Sequence, residues 1–343
     1  MPLRGSGIAA TPKRPRSGGE YYIHNLNKYL VSQGHEIRVM LHQAKQHDIK
    51  CPYEFEGVEV MGNINHLDAY RWADILITHL DFTHFTVLLG YDIGKPVVHI
   101  VHNHHNYNSI ENARSGIHVV YNSKWIADKL NYKWPSIVIP PSIDRERFDV
   151  NENPETNEFI TMINLNTNKG GRILQRLAKI FPDKKFLGVK GSYDKQITDQ
   201  PENVKIINNT PDILNVYKQT RLLLMPSQYE SWGMTATEAM CSGIPVICTP
   251  TPGLKENCDY AGNYIDKRNG EIFDENGNVL DDTNVYDITS LVDMIKRFDD
   301  KDFYRQRSEA ARKRSLEHEP LKRMKDYEDF LYQAKECRLK QYI

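Results

Sequence analysis

Residues 220–249 read TRLLLMPSQYESWGMTATEAMCSGIPVICT, an order that few folds accommodate. The run RLLLMPS has the apolar density of a buried parallel strand. TATEAMCSG carries the Ala, Met and Glu that favour a helix, and IPVICT is another buried-strand candidate followed by a Pro-Gly turn. Strand, glycine turn, helix and strand in that sequence are the parts of a parallel α/β layer.

The turn also bears chemistry. Glu230 and Glu238 lie eight positions apart on either side of Ser231-Trp232-Gly233. The first N–H groups of a helix lack an intrahelical partner and the helix dipole is positive there, so the turn offers a site for phosphate. Glu238 falls about one turn inside the helix, too far from its start to serve only as a cap. On the correct face its carboxylate reaches the diol of a ribose joined to the bound phosphates, each hydrogen bond contributing roughly 1.5–3 kcal/mol. Taken alone, the pair reads as a solvated helix residue and a loop carboxylate.

The pair does not stand alone. With the following CSGIPVICTPTPGLKE it resembles the signature of retaining GT-B glycosyltransferases, in particular the glycosyltransferase 4 group, where two glutamates separated by seven residues precede a small-residue helix and a G-x-P-V strand. Other segments fit the same family. Ser17, Gly18, Gly19 and Glu20, the helical run YYIHNLNKYLVSQ and then GHEIRVML resemble its first glycine turn, first helix and second strand. Gly18 and Gly19 permit positive φ and close backbone approach, while Tyr22, Leu26, Tyr29 and Leu30 share one apolar helical face.

ADILITH and KPVVHIVH read as two buried strands. His102, ending the latter, falls where the family carries a histidine, and the resemblance implies contact with the transferred sugar or its leaving group. A neutral imidazole donates one hydrogen bond and accepts another. The neighbouring His99, His104 and His105 raise a metal hypothesis. Strand alternation sends His99 and His102 to opposite faces, and no Cys or paired carboxylate lies nearby at ligand spacing, which argues against it. The run Asp300-Lys301-Asp302 reads as a helix-terminal surface segment, a poor metal-binding D-x-D.

PSIDRERF resembles the family's domain junction, with Pro141 and Ser142 replacing the usual Asn-Gly, and the polar NENPETNE after it reads as a linker. The second half opens with EFITMINLNTNKGGRILQRLAKIF, a strand, a glycine-marked turn and an amphipathic helix. Lys169 occupies the family's lysine position, where an ammonium neutralises the donor diphosphate. Five residues earlier most members have an arginine and this chain has Asn164, which hydrogen-bonds a phosphate without adding charge. Lys190 and Arg172 are the substitutes in reach.

The implied fold is α/β, GT-B: two Rossmann-like domains facing a central cleft. Residues 1–147 form the acceptor-side domain and 148–316 the nucleotide-sugar domain, while the helical segment 317–343 packs back on the first through Leu321, Met324, Tyr327, Phe330 and Leu331. At the start, Ile8, Ala9 and Ala10 are the expected centre of a short first strand.

The implied activity is transfer of a sugar, with retention, from a nucleotide diphosphate sugar (a UDP- or GDP-sugar) to an acceptor hydroxyl of a saccharide or glycoconjugate, with no cofactor and no metal. The resemblance assigns catalysis to His102, Glu230 and Lys169. Donor binding falls to Gly18, Gly19, Asn164, Lys169, Lys190, Ser231, Trp232, Gly233, Met234, Thr235 and Glu238. Glu230 orders the donor sugar and is not assigned as a covalent nucleophile, while Lys169 and the N–H groups near Gly233 and Met234 meet charge developing on the diphosphate. Two further readings stay open: a non-catalytic nucleotide-sugar-binding or partner subunit, suggested by Asn164 and the weak first strand, and a GT-B sugar-nucleotide epimerase. Nucleic acid also stays open as acceptor.

Bulk properties bound the function. With 343 residues the chain holds two domains of ordinary size, and its formal net charge of -1 argues against a dominantly nucleic-acid-binding surface, the short PKRPR run at 12–16 notwithstanding. Cys51, Cys241, Cys248, Cys258 and Cys337 are scattered, with no C-x-x-C pair, as in reduced cytoplasmic proteins. No apolar run approaches the roughly 20 residues of a membrane span and no signal-peptide core opens the chain. The expectation is a soluble cytoplasmic protein; peripheral contact with a membrane stays open, although RWADIL and YKW are too short to make an anchor.

Overall fold

The structure, a computed structural model, describes residues 4–7, 18–41, 50–62, 67–104, 110, 116–265, 288–318 and 320–337. The chain divides into two compact units, Met1–Ser142 with Pro320–Ile343, and Ile143–Glu319. In chain order the first unit contains β1 (Arg4–Gly7), α1 (Gly18–Ser32), β2 (Glu36–Met40), β3 (Tyr53–Phe55), β4 (Val58–Met61), α2 (Leu67–Trp72), β5 (Ile75–His79), α3 (Thr83–Ile93), β6 (Val97–Val101), β7 (Ile117–Tyr121), α4 (Lys124–Leu130) and β8 (Ser136–Val138). The second contains α5 (Arg145–Phe148), β9 (Phe159–Ile163), α6 (Gly171–Ile180), β10 (Lys185–Val189), β11 (Val204–Ile207), α7 (Ile213–Tyr217), β12 (Thr220–Met225), α8 (Met234–Cys241), β13 (Val246–Cys248), α9 (Pro252–Cys258), β14 (Gly262–Tyr264), α10 (Ile288–Arg297) and α11 (Lys301–Leu316); α12 (Pro320–Glu336) returns to the first.

The first sheet has the order β3-β4-β2-β1-β5-β6-β7-β8, parallel except for β3 against β4. The strands ILITH, VVHIV and IHVVY are buried at every position, which requires cover on both faces and explains why Ile, Leu and Val dominate them, with Thr78, His79, His99 and His118 as buried polar exceptions. The first strand lies earlier than expected. Arg4–Gly7 pairs on both sides, Gly5 with Ile37 of β2 and with Ile75 of β5, while Ile8, Ala9 and Ala10 fall outside the described residues. Pairing uses backbone groups, so a glycine-rich strand serves at a sheet centre where an apolar search overlooks it.

Helix α12 belongs to this unit by its buried stripe, Met324, Tyr327, Phe330 and Leu331. His35 and Glu328 approach to 2.9 Å, Lys335 pairs with Asp74 at 2.9 Å, and Phe330 meets the His118 ring edge-on.

The second sheet has the order β11-β10-β9-β12-β13-β14, parallel throughout. The chain runs outward from β9 through β10 to β11, then recrosses to β12. Loops leaving the carboxyl ends of β9 and β12 therefore open at the point where strand order reverses, the usual ligand crevice of such sheets. Leu165, Ile173, Leu174 and Leu177 pack with Phe186, Leu222 and Leu224 beneath it.

The division falls after Ser142 because Ile143 and Phe148 join the second unit's core with Tyr217 and Met240. Residues 151–158 are part of that unit rather than a free linker. Pro154 is buried, Asn157 Nδ2 donates to the Thr220 carbonyl at 3.0 Å, and Arg221 Nε donates to the Glu155 carbonyl at 3.1 Å. Pro252-Gly253 likewise starts α9 instead of making a turn: Thr251 caps the helix with its hydroxyl, and proline's fixed φ suits the first helical turn. Asp300 caps α11, its carboxylate accepting from the N–H groups of Asp302 and Phe303. Among the described residues no helix is long and apolar enough to cross a membrane.

Candidate active site

In the second unit, two loops converge at the carboxyl ends of β9 and β12. After β9 the chain turns through Asn166, whose side-chain oxygen accepts from Lys169 N at 2.9 Å, and then through Gly170 at φ +94°. A Cβ on Gly170 would stand 2.6 Å from Pro226 Cγ, so glycine both adopts the left-handed backbone and lets this loop close on the one after β12. Gln228 N donates to the Asn168 carbonyl at 2.8 Å and holds the two loops together.

That closure brings Lys169 to Glu230: Nζ donates to Oε1 at 2.6 Å, with both side chains largely buried. Burial by itself would lower the Lys169 pKa; the Glu230 carboxylate, followed by Tyr193, overcomes it and the net shift is upward. The ammonium is therefore firmly charged. Ser227 Oγ donates to the same Glu230 oxygen at 2.9 Å, and Thr249 Oγ1 donates to the Ser227 carbonyl.

Glu230 leads into the α8 turn. Gly233 has φ +89°, and its added Cβ would meet Leu254 Cδ2 at 2.7 Å. Asn257 Nδ2 donates to the carbonyls of Trp232 and Gly233 at 3.0 and 2.9 Å, while its own oxygen accepts from Thr237 Oγ1 at 3.0 Å. Gly253 admits the backbone of Glu230 and Ser231, which a Cβ would strike at 2.3–2.6 Å. The turn is thus gripped from α9, and the N–H groups of Met234 and Thr235 open α8 without intrahelical acceptors. Trp232 is buried edge-on to His318, and Thr235 Oγ1 donates to Met225 Sδ at 3.5 Å.

Glu238 sits one turn into α8, half-buried and away from the Lys169–Glu230 pair in its bonding: Tyr217 OH donates to its Oε2 at 2.5 Å. Burial raises its pKa to about 7, against the Tyr217 hydrogen bond and the nearby Arg147, which both lower it. Near neutrality this carboxyl is divided between two charge states.

Asn164 follows β9 in left-handed backbone, φ +70°, a conformation asparagine tolerates better than arginine. Its Oδ1 accepts from Gln196 Nε2 at 3.0 Å and from Asn166 N at 3.3 Å, and a Cβ on Gly191 would collide with the carboxamide at 2.4–2.7 Å. Lys190 lies at the end of β10, the strand beside β9, and among the described residues its ammonium makes no ion pair.

The first unit holds Gly18, Gly19 and His102. Both glycines are helical residues of α1, and neither has positive φ. What Gly19 supplies is room, since His102 lies flat against it with three ring atoms 3.4–3.5 Å from where a Cβ would stand. Burial, then His79 and His99, holds the His102 pKa well below the usual imidazole value. His99 is separate, bonded through Nδ1 to Thr83 Oγ1 at 2.9 Å. His105 lies outside the described residues; among those described, no three His, Cys, Asp or Glu are grouped to hold a metal ion. None of the five cysteines is disulfide-bonded.

Ser227, Tyr217, Asn257, Gln196 and His79 are the residues that sequence reasoning passed over. Ser227 and His79 carry a local signal, as polar residues at the carboxyl end of a strand; the other three lie in helices or a loop and reach the site only through the fold.

The profile of the family described as glycosyl transferases group 1 matches residues 142–314, half of the 343-residue chain. No curated protein sequence matches. Among solved structures, sucrose-phosphate synthase from Thermosynechococcus elongatus superposes with TM-score 0.71 at 16% identity, covering 96% of this chain and 98% of that one. A glycosyltransferase from Rickettsia africae gives 0.69 at 19%, with 96% and 98% covered. Anabaena HepE, in complex with UDP and glucose, gives 0.68 at 15%, with 96% and 100% covered. The chain belongs to the glycosyl transferases group 1 family and is a GT-B, retaining glycosyltransferase that takes its sugar from a nucleotide sugar.

Proposed function

We propose that the second unit binds a nucleotide diphosphate sugar and that the protein transfers its sugar to a hydroxyl of a saccharide or glycoconjugate. The observation that carries this reading is the Lys169–Glu230 pair at the start of α8. A firmly charged ammonium beside free helix N–H groups suits a leaving diphosphate, on which charge develops in the transition state. In this reading Glu230 accepts from hydroxyls of the donor sugar, Glu238 accepts from the ribose diol, and Ser231, Trp232, Gly233, Met234 and Thr235 shape the wall. Asn164 supplies a neutral phosphate contact, Lys190 the second cation. Gly18, Gly19 and His102 serve the sugar end. The UDP-bound Anabaena neighbour supports UDP as nucleotide.

A panel of nucleotide sugars tests this, with thermal shift for binding and nucleotide release for turnover. A melting-temperature rise with one nucleotide sugar, and release of its nucleotide when a saccharide acceptor is added, are expected. Binding without release under any acceptor would favour a non-catalytic subunit, the reading to which Asn164 in place of arginine points. An isomerised nucleotide sugar recovered without acceptor would favour an epimerase.

A further inference from the structure

His79 and His102 end the neighbouring parallel strands β5 and β6, the first as the last residue of its strand and the second just beyond. Their rings cross at 79° with centroids 5.1 Å apart, and His102 Nε2 lies 3.1 Å from His79 Nδ1. His79 is buried, and desolvation takes its pKa down to about 4; His102 is depressed too, first by burial and then by His79 and His99. Both rings are neutral at pH 7, so one hydrogen lies between Nε2 and Nδ1. The ring that provides it decides what the far side of His102 offers, because a neutral imidazole has one N–H and one lone pair.

The remaining surroundings bias that choice. Tyr22 meets the His102 ring edge-on at 5.8 Å and spends its hydroxyl on the Ile139 carbonyl. Asn122 Nδ2 donates to the His102 carbonyl rather than to its ring. His102 Nδ1 has no hydrogen-bond partner among the described residues. It lies 3.4 Å from the ideal Cβ position of Gly19, in the first turn of α1, where the helix dipole is positive. A lone pair is favoured there over an N–H.

We propose that His79 is a positioning residue: its Nδ1 accepts the hydrogen of His102 Nε2, fixing His102 in the tautomer whose Nδ1 accepts a hydroxyl hydrogen of the donor sugar. The sugar contact rests on the functional reading above; the histidine pairing rests on geometry alone. The arrangement places a single-purpose acceptor where an unpaired histidine would alternate between donor and acceptor.

The test uses the full chain with nitrogen-15-labelled histidine, observed without ligand at pH 7.5. His102 signals are identified by their loss in His102→Gln. The expected spectrum has His102 protonated on Nε2 and bare at Nδ1, a state kept in His79→Asn, whose side-chain oxygen replaces the acceptor, and mixed in His79→Leu. A wild-type His102 protonated on Nδ1, or an unchanged tautomer in His79→Leu, overturns the proposal, and the wild-type reading needs no variant to fold. With UDP-glucose and GDP-mannose as probes, sugar turnover should fall about tenfold in His79→Leu, the effect of one misplaced hydrogen bond, and recover in His79→Asn with UDP affinity unchanged. Unchanged turnover despite a lost tautomer would also overturn it. If neither probe is turned over by the wild type under any acceptor, the transfer reading fails, and the ligand-free spectrum still decides the pairing.

Discussion

Lys169 and Glu230 are 61 residues apart in sequence and 2.6 Å apart in the fold, so in the free protein the ammonium is already committed to a carboxylate. Under the proposed function, a diphosphate must share or displace that partner.

Opposite effects are therefore expected of the two neutral variants. Lys169→Ala should weaken nucleotide diphosphate binding by about 10–100-fold, the range of one charge-assisted hydrogen bond, and lower turnover with it. Glu230→Gln should leave diphosphate binding intact or tighter, because Lys169 is released, while sugar turnover falls. Calorimetry with UDP and GDP, set against nucleotide release, separates the two.

Glu238 gives a pH signature. Its pKa is raised from 4.5 to about 7, so the folded state retains a proton that the unfolded state has already released. Stability from this group is present below about pH 4.5 and is lost as pH rises through 7. Glu238→Gln should thus melt higher than wild type at pH 8, with the gap closing by pH 5. If the carboxylate grips the ribose, affinity for a nucleotide sugar should rise from pH 6 to 8 in wild type and stay flat in the variant. A nucleotide sugar is the better probe, since a terminal phosphate titrates near pH 6 itself.

Gly233→Ala should destabilise the second unit by about 1–3 kcal/mol, from the strain of a side chain at positive φ and the approach to Leu254 Cδ2. Loss of nucleotide binding should exceed loss of stability, because the α8 N–H groups shift with the turn. Denaturant unfolding and binding on the same preparation show whether the two diverge.

Acid should loosen the first unit. Burial takes His79 from 6.5 to about 4 and, with His79 as a lesser contributor, His99 to about 3. Unfolding frees both to take up protons, so stability held above pH 6.5 declines as pH falls toward 4. The shifts correspond to about 3 kcal/mol for His79 and about 5 kcal/mol for His99. The apparent melting temperature should drop between pH 7 and 5, and by less in His99→Leu, provided its packing against Thr83 is maintained.

The sequence exposed some parts of this site better than others, for physical reasons. β5, β6 and β12 announce themselves because strands covered on both faces are predominantly apolar, and the α8 turn does so because glycine at Gly233 is nearly obligatory. Arg4–Gly7 escaped because a strand held by backbone pairing on both sides needs no apolar signature. The glycines of α1 were legible as a close approach, but their use is to admit an imidazole rather than to adopt positive φ. Tyr217 and Asn257 had no local signal at all: each acts across about twenty residues, Tyr217 on Glu238 and Asn257 on the α8 turn, a relation that exists only once the sheet has formed. Asn164 read as a missing charge, whereas the fold has enclosed it with Gln196 and Gly191 in a backbone state poorly suited to arginine.

The second unit is one uninterrupted stretch, Ile143–Glu319, set between two pieces of the first. During synthesis its sheet can be complete while the earlier-made unit still waits for Tyr327 and Phe330 to leave the ribosome and cover its helix-facing surface. The amino-terminal portion is then the last to mature, reversing the usual order in which domains finish, and chains cut short near their end would carry a finished second unit attached to an unfinished first.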